Sequence, residues 1–184
     1  MARAFDQPTP GSPADDHVEA DPEQVARTIV LRRLNAAPRT RAELRGDLLR
    51  RNIPEDVADR VLDRFVEVGL VDDAQYAQLW VESRHRSRGT ARSVLRQELR
   101  TKGVGDDDAA AALSGIDDDS ERARARALAL AKDRSLSRYD QATRTRRLVS
   151  MLVRRGYRAG MAHSVVREVV GADAPGLESG VDEG

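Results

Sequence analysis

The feature that most constrains the fold of this chain is an internal repeat. Asn52, Gly103 and Gly156 lie 51 and 53 residues apart, and each follows a long basic segment. Asn and Gly are the residue types that accept the left-handed backbone conformation with which many helices end. A basic residue precedes each of these closing residues, an apolar or aromatic residue follows each, and the surrounding residues align without gaps. The chain is therefore predicted to contain three copies of one structural unit.

The apolar pattern within the unit is helical. Two leucines stand eight and four residues before each closing residue, and small or apolar residues recur at three- and four-residue spacing after it. No segment sustains the alternation that a half-buried strand needs. The leucines predicted to lie in the core are Leu44, Leu48, Leu95, Leu99, Leu148 and Leu152. The predicted fold class is all-α, with three tandem three-helix, helix-turn-helix-like repeats stacked through a shared core into an elongated or crescent-shaped array.

Capping residues and closing residues set the expected helix boundaries. Thr40 with Glu43, and Asp118 with Glu121, have the spacing of a capping box. We expect nine helices, near 22–36, 41–51, 54–68, 73–87, 90–102, 106–115, 119–133, 139–155 and 158–170. The predicted domains are three-helix repeats at 22–71, 72–117 and 118–171, between disordered acidic tails at 1–21 and 172–184.

Composition argues against several classes of chemistry. The chain has no cysteine, and His17, His85 and His163 do not have the spacing of metal ligands. The Lys-Gly-Val-Gly segment at 102–105 lacks the spacing of a phosphate-binding loop. We therefore expect a protein that is not an enzyme and takes neither cofactor nor metal. Because no apolar run approaches the ~18 residues of a membrane span, we expect no membrane association and, by default, a cytoplasmic location.

Charge is distributed unevenly along the chain. Basic and acidic residues balance at 31 each, but residues 23–170 hold 30 basic and 22 acidic ones. This surplus predicts an acidic partner. Arg88, Arg92 and Arg96, with Arg100 beyond them, recur every four residues. That spacing predicts a basic stripe opposite the leucine face of a helix.

Two basic segments supply the candidate residues for binding a partner or DNA. The first comprises Arg84, Arg86, Arg88, Arg92, Arg96, Arg100 and Lys102, and the second comprises Arg144, Arg147, Arg154, Arg155 and Arg158. Guanidinium groups suit bidentate contacts to phosphate or carboxylate. For any single arginine, solvation of an exposed helix face is an equally good interpretation. Trp80 is expected to pack in the core, with stacking on a nucleic-acid base as the alternative.

Residues 69–104, GLVDDAQYAQLWVESRHRSRGTARSVLRQELRTKGV, resemble the signature region of the RecX family, regulators of the RecA recombinase. The shared pattern has paired acids opening a helix, a basic helix end with a glycine loop, and a helix that finishes Leu-x-x-Lys-Gly. Its positions here are Val71, Asp72, Asp73, Tyr76, Ala77, Arg84, Arg86, Arg88, Gly89, Leu99, Lys102, Gly103 and Val104. LVRRGYRAGMAHSVV, at 152–166, resembles the last repeat of the family, whereas Asn52 departs from its glycine pattern.

The resemblance covers roughly residues 23–170 and implies a function. A RecX-like regulatory protein would enter the groove of the RecA nucleoprotein filament and inhibit filament growth, ATP hydrolysis and strand exchange, in DNA repair, recombination and the SOS response. Its partners would be that filament and, through the basic helices, single- or double-stranded DNA, and it would be monomeric. The residues alone leave two alternatives: a helix-turn-helix-type, sequence-specific transcription regulator, which should dimerise on a palindromic site, or a plain helical scaffold.

Overall fold

The structure, a computed structural model, describes residues 21–171, and all regular structure in that range is helical. The helices are α1 (Pro22–Ala36), α2 (Arg41–Leu49), α3 (Glu55–Glu67), α4 (Asp73–Arg88), α5 (Arg92–Thr101), α6 (Asp106–Ala112), α7 (Asp118–Asp133), α8 (Gln141–Arg154) and α9 (Ala159–Gly171). All nine predicted helices are confirmed, and a short 3-10 helix at Arg134–Leu136 adds to them. The predicted tails fall on residues 1–20 and 172–184, which lie outside the described residues.

Each set of three consecutive helices encloses its own hydrophobic cluster. The clusters draw on α1 to α3, on α4 to α6, and on α7 to α9. The six predicted core leucines are confirmed, since each is at most 1% exposed. The expectation of one shared core is wrong, because only Ala91 crosses from one set of helices into the cluster of the next. The domain boundaries themselves stay a prediction.

The second helices of the three repeats, α2, α5 and α8, end in the same way. The closing residues Asn52, Gly103 and Gly156 have φ values of 60°, 76° and 90°. In each repeat the N–H that follows the closing residue donates to the carbonyl of the buried leucine four positions before it, at 3.1 to 3.2 Å. This is the hydrogen bond of a Schellman motif. The repeat seen in the sequence is therefore also a repeat of backbone geometry.

These second helices lie end to end, in the reverse of chain order. The end of α8 meets the start of α5, where the Ala91 N–H donates to the Arg155 carbonyl at 3.0 Å. The end of α5 meets the start of α2, where Thr40 Oγ1 donates to the Lys102 carbonyl at 2.6 Å. We call this arrangement the second-helix row, and its two contacts the first joint (repeats 1 and 2) and the second joint (repeats 2 and 3).

A carboxylate from the following repeat caps the second helix at both joints. Asp73 Oδ1 accepts from the Arg41 N–H at 2.9 Å, and Glu121 Oε1 accepts from the Arg92 N–H at 2.8 Å. Both donors begin a helix, where the N–H has no acceptor within the helix. The capping box predicted for Asp118 and Glu121 is wrong. Asp117 caps α7 instead, and the side chain of Glu121 accepts from Arg92 across the second joint.

The closing glycines allow the joints to be tight. A Cβ atom placed on Gly103 would lie 2.3 Å from Ala42 Cβ, and one on Gly156 would lie 2.3 Å from Val94 Cγ2. Asn52 occupies the equivalent position in repeat 1 and is exposed. Since no helix of residues 21–171 packs against it, Asn52 needs to satisfy only the left-handed backbone conformation, which Asn tolerates. Close backbone approach and hydrogen bonds hold the joints, which leaves no room for large apolar side chains and explains the separate cores.

Candidate partner-binding surface

The structure divides the twelve predicted binding residues by what their side chains contact. Those engaged within the protein are Arg84, Arg86, Lys102, Arg144 and Arg147. Those exposed and without an ion pair or side-chain hydrogen bond to any residue from 21 to 171 are Arg88, Arg96, Arg100, Arg154 and Arg158. Arg92 and Arg155 are half-buried, with no carboxylate of the described range at ion-pairing distance. We expect binding to depend mainly on the exposed set.

Two of the engaged cations flank the Trp80 ring, and one of them, Lys102, also reaches across the first joint. Lys102 Nζ donates to Glu43 Oε1 of repeat 1 at 2.7 Å and lies 4.5 Å from the centroid of the Trp80 ring. The Arg84 guanidinium lies 4.3 Å from the same ring, and Trp80 Nε1 donates to Glu98 Oε2 at 2.7 Å. Burial alone would lower the pKa of Lys102, but its hydrogen bond to Glu43 contributes to a net raised value. The half-buried Trp80 ring thus serves an intramolecular cation–π cluster.

In repeat 3, two predicted binding arginines are also held by neighbours. Arg144 makes a bidentate ion pair with Asp133, and these side chains are only 15% and 9% exposed. Arg147 lies 4.0 Å from the centroid of the Tyr139 ring. Hydrogen bonds from Arg138 and Arg147 lower the pKa of the Tyr139 hydroxyl. Arg144 and Arg147 are therefore engaged within repeat 3.

The stripe predicted from the four-residue spacing is interrupted between its first two members. Arg88 ends α4, and Gly89 then reverses the chain with φ 60° before α5 begins at Arg92. Arg96 and Arg100 are exposed on α5, whereas Arg92 flanks the buried leucine face and is half-buried. The break agrees with the helix boundaries predicted near 87 and 90, whereas the four-residue spacing of the arginines continues across it.

Repeat 1 carries arginines at the same repeat positions, but there they are neutralised. On α2, Arg41 pairs with Asp63 at 2.7 Å and with Asp59 at 3.3 Å. Arg45 pairs with Asp59 and with Glu55, both at 3.0 Å. The hydrogen bond from Arg45 holds the pKa of Asp59 below its usual value. These carboxylates all belong to α3, so the second and third helices of repeat 1 neutralise each other.

Repeat 2 lacks two of those three carboxylates, because only Glu55 has an acidic equivalent there, Asp106. Ala110 and Ser114 stand 51 residues after Asp59 and Asp63, at the same positions of the repeat. The arginines of α5 consequently have no acid of α6 at ion-pairing distance. The alignment of the repeats contains this difference in acidic residues. Its meaning becomes clear only once the structure shows that the third helix supplies the ion-pair partners of the second.

The two predicted basic segments meet at the second joint. Because the end of α8 abuts the start of α5, Arg158 of repeat 3 lines the same small crevice as Arg92 and Arg96 of repeat 2. Arg154, on the last turn of α8, is exposed next to this joint. The sequence interpretation treated these segments as separate patches, whereas the second-helix row makes them neighbours.

Residues 21–171 include no group of three or more His, Cys, Asp or Glu side chains that could hold a metal ion. His85 Nδ1 lies 3.1 Å from the Thr90 carbonyl oxygen, and His163 is exposed on α9. Over the same range, no helix is both long and apolar enough to cross a membrane. The chemistry that the site offers is charge and hydrogen bonding from guanidinium groups.

Comparisons with known proteins agree with this architecture. The family model for the first three-helix domain of RecX matches residues 26–65, and the one for the second three-helix domain matches residues 72–113. The protein named Regulatory protein RecX from Thermobifida fusca is 46% identical over 173 residues, which cover 94% of this chain and 90% of that protein. The protein of the same name from Streptomyces coelicolor is 47% identical over 164 residues, covering 89% and 87% of the two chains.

Solved structures show the same fold. The crystal structure of RecX from Lactobacillus salivarius superimposes with a TM-score of 0.71 at 21% identity, covering 82% of this chain and 97% of that one. A second crystal structure of a regulatory protein RecX gives a TM-score of 0.67 at 24% identity, covering 84% and 73%. The fold, the two matched three-helix domains and the near-full-length identity together place this chain in the RecX family of regulatory proteins.

Proposed function

We propose that this chain binds the nucleoprotein filament of a RecA recombinase and inhibits filament growth, ATP hydrolysis and strand exchange. It would act as a monomer in the cytoplasm, in DNA repair, recombination and SOS control. The observation that carries the proposal is that, in repeats 2 and 3, exposed arginines without a carboxylate partner among residues 21–171 lie on the second-helix row and beside it. A RecA filament repeats its subunits along an enclosed DNA strand, so a row of repeats can contact several of them, and modest contacts add by multivalency.

The charge of the row suits either component of that filament. Guanidinium groups can form bidentate bonds to acidic side chains lining the groove or to DNA phosphates. Phosphate contacts are sequence-independent, as required of a protein that acts wherever a filament forms. The neutralised arginines of repeat 1 suggest a division of roles, in which repeats 2 and 3 supply most of the electrostatic attraction.

The helix-turn-helix alternative receives less support from the geometry. A recognition helix uses its N-terminal residues to contact bases, but the starts of α2 and α5 are covered by the following repeat. The third helices α3 and α6 begin with Glu55 and Asp56, and with Asp106 to Asp108, respectively. Carboxylates at those positions would repel DNA phosphates.

The test is the single-stranded-DNA-dependent ATPase of the cognate recombinase, with this protein added below one copy per recombinase and bare-DNA binding measured in parallel. We expect inhibition at these ratios. Changing Arg88, Arg96 and Arg100 together to Ala should weaken inhibition at least about tenfold, which corresponds to about 1.4 kcal/mol, with unchanged thermal unfolding.

The matched control removes the same charge from repeat 1. Arg27, Arg60 and Arg64 are exposed and pair with carboxylates of their own helix or its end. Their triple change to Ala should leave inhibition as it is. Absence of inhibition by the unaltered protein, combined with tight and sequence-selective duplex binding, would instead support the transcription-regulator alternative.

A further inference from the structure

The crevice at the second joint gathers charged groups from two repeats. Its volume is about 100 Å³, and its lining comprises Arg92, Ser93, Arg96, Asp118, Glu121, Gly156 and Arg158. One liquid water molecule takes up about 30 Å³, so the crevice has room for about three water molecules. That space suits a small ion.

The cations in this crevice lack internal partners. Arg96 and Arg158 are exposed, and no carboxylate of the described residues lies within the 4.0 Å of an ion pair. The Nε of Arg92 is buried and has no hydrogen-bond acceptor in the described part of the chain. A buried donor without an acceptor is costly. An oxyanion within reach of this nitrogen would remove that cost.

The two carboxylates of the lining do not neutralise these cations directly. Glu121 is buried, and its Oε1 accepts from the Arg92 backbone N–H at 2.8 Å. Asp118 is exposed in the first turn of α7 and, like Glu121, is beyond ion-pairing distance of all three guanidiniums. The first turns of α5 and α7 and the residue before α9 all border the crevice. Helix N-termini carry partial positive charge, which favours an anion further.

The first joint shows what happens where the chain supplies the anions itself. There Arg41 and Arg45 stand at the positions of Arg92 and Arg96, and Asp59 and Asp63 pair with them. The position of Arg158 is taken by Gly105, two residues after the closing glycine. The second joint therefore has one more guanidinium than the first and lacks acids at the positions of Asp59 and Asp63.

We propose that the crevice between repeats 2 and 3 binds one phosphate group, as a free ion or as part of a phosphate ester. Arg96 and Arg158 donate hydrogen bonds to its oxygens from the two sides of the joint, and the Nε–H of Arg92 donates a third from the crevice wall. Because the ligand contacts both repeats, binding stabilises their relative arrangement. Phosphate binding can be measured without a recombinase, so its failure would not count against the proposed function, and failure of the proposed function would not count against it.

The test titrates the full-length protein with sodium phosphate at constant ionic strength, using chloride as the replacement salt. The Nε–Hε resonances of the arginines are followed by ¹H–¹⁵N NMR. We expect saturable shifts of Arg92 and Arg96, and about tenfold weaker binding in each of Arg96→Gln and Arg158→Gln. Arg126→Gln removes an equal charge from an exposed, unpaired position on α7 outside the crevice and should bind phosphate as the unaltered protein does.

Single-stranded oligonucleotides distinguish the sources of the phosphate group. If Arg96→Gln and Arg158→Gln weaken oligonucleotide binding more than Arg126→Gln does, the site accepts a backbone phosphodiester. If only the inorganic phosphate response is lost, the site is specific for a free phosphate or a monoester. Shifts that do not saturate, or that Arg126→Gln reduces as strongly as Arg158→Gln does, would overturn the proposal, because both indicate general charge screening.

Discussion

The second helices of repeats 1 and 2 carry arginines at equivalent positions, yet the two pairs have different surroundings. Arg41 and Arg45 are fixed by carboxylates of α3, while Arg92 and Arg96 face a third helix that lacks acids at those positions. The closing hydrogen bonds of the helices, the core leucines and the carboxylate caps at the joints are otherwise alike. The same scaffold thus carries a closed ion-pair network in one repeat and available cations in the next.

The acids of α3 affect the binding capacity of the arginines more than they affect the stability of the fold. Exposed ion pairs contribute little to stability, so the acids of α3 matter mainly because they occupy the arginines. Removing them by substitution, as repeat 2 does with Ala110 and Ser114, leaves the fold intact and changes only what the arginines can contact.

The largest effects should come from the core that both repeats share. Leu48 and Leu99 are each 0% exposed at the same repeat position. Leu48→Ala and Leu99→Ala should each lower the free energy of unfolding by about 2 to 5 kcal/mol, measured by chemical denaturation. Leu79→Ala, at a leucine that is 53% exposed, is the control and should change it by no more than about 0.5 kcal/mol. A neutral Leu99→Ala would refute the register of repeat 2.

The closing residues should respond differently in the two repeats. Gly103→Ala combines left-handed backbone strain with a clash against Ala42, and should cost about 2 to 4 kcal/mol. Asn52→Ala meets only the backbone strain and should cost about 1 kcal/mol. Thermal unfolding of both variants measures the difference. Equal losses would show that the first joint is not tightly packed.

Transplanting charges should convert repeat 2 toward the behaviour of repeat 1. Ala110→Asp with Ser114→Asp places carboxylates at the positions aligned in sequence with Asp59 and Asp63, the first on α6 and the second in the turn that follows it. Inhibition of the recombinase ATPase should then weaken about tenfold. Ala110→Asn with Ser114→Asn adds similar volume without charge and should have little effect. Both positions are exposed, so stability should be nearly unchanged. Equal activity of the two double variants would remove electrostatics from the difference between the repeats.

The reverse transplant should give repeat 1 a new affinity. Asp59→Ala with Asp63→Ser removes both acids that contact Arg41 and leaves Arg45 only Glu55. Binding to single-stranded DNA should strengthen, and its dependence on salt should steepen by about 0.7 for each added phosphate contact. Fluorescence anisotropy at several salt concentrations measures both. An unchanged slope would indicate that α2 does not reach DNA.

The smallest expected effect is a loss of stability in α2 at acidic pH. The pKa of Asp59 in the folded protein lies below the 3.8 of the free side chain, chiefly because Arg45 donates to it. Its contribution to stability is therefore complete above that value and is lost as the pH falls through the lower, folded pKa. Amide exchange in α2 should accelerate relative to α5 on such acidification, after correction for intrinsic rates. In Asp59→Asn, the acid-induced difference in amide exchange between α2 and α5 should be smaller.

Much of the fold could be predicted because its signals are local. The leucine spacing gave the core of each repeat, and Asn52, Gly103 and Gly156 marked the helix ends by backbone conformation alone. The two wrong expectations, a shared core and a capping box at Asp118, both concern contacts between repeats. Glu121 has the spacing of a local cap, but its acceptor oxygen serves the Arg92 N–H, 29 residues away in the chain.

The sequence showed which segments are rich in basic residues. It did not show which of those side chains are free to bind a partner. Arg84, Arg144 and Arg158 cannot be distinguished by spacing, although one stacks on Trp80, one pairs with Asp133 and one is exposed. Whether a guanidinium is free depends on which carboxylate or ring lies opposite it on another helix. That information is long-range.

The sequence by itself determined nine helices, three leucine cores and the positions where each second helix ends, since helix periodicity and left-handed closure act over a few residues. Only the tertiary structure decided that the second helices form a row, that α3 neutralises Arg41 and Arg45, and that Arg92, Arg96 and Arg158 meet at one joint. The physical reason is that charges pair through space, so their availability depends on the packing of helices distant in the chain.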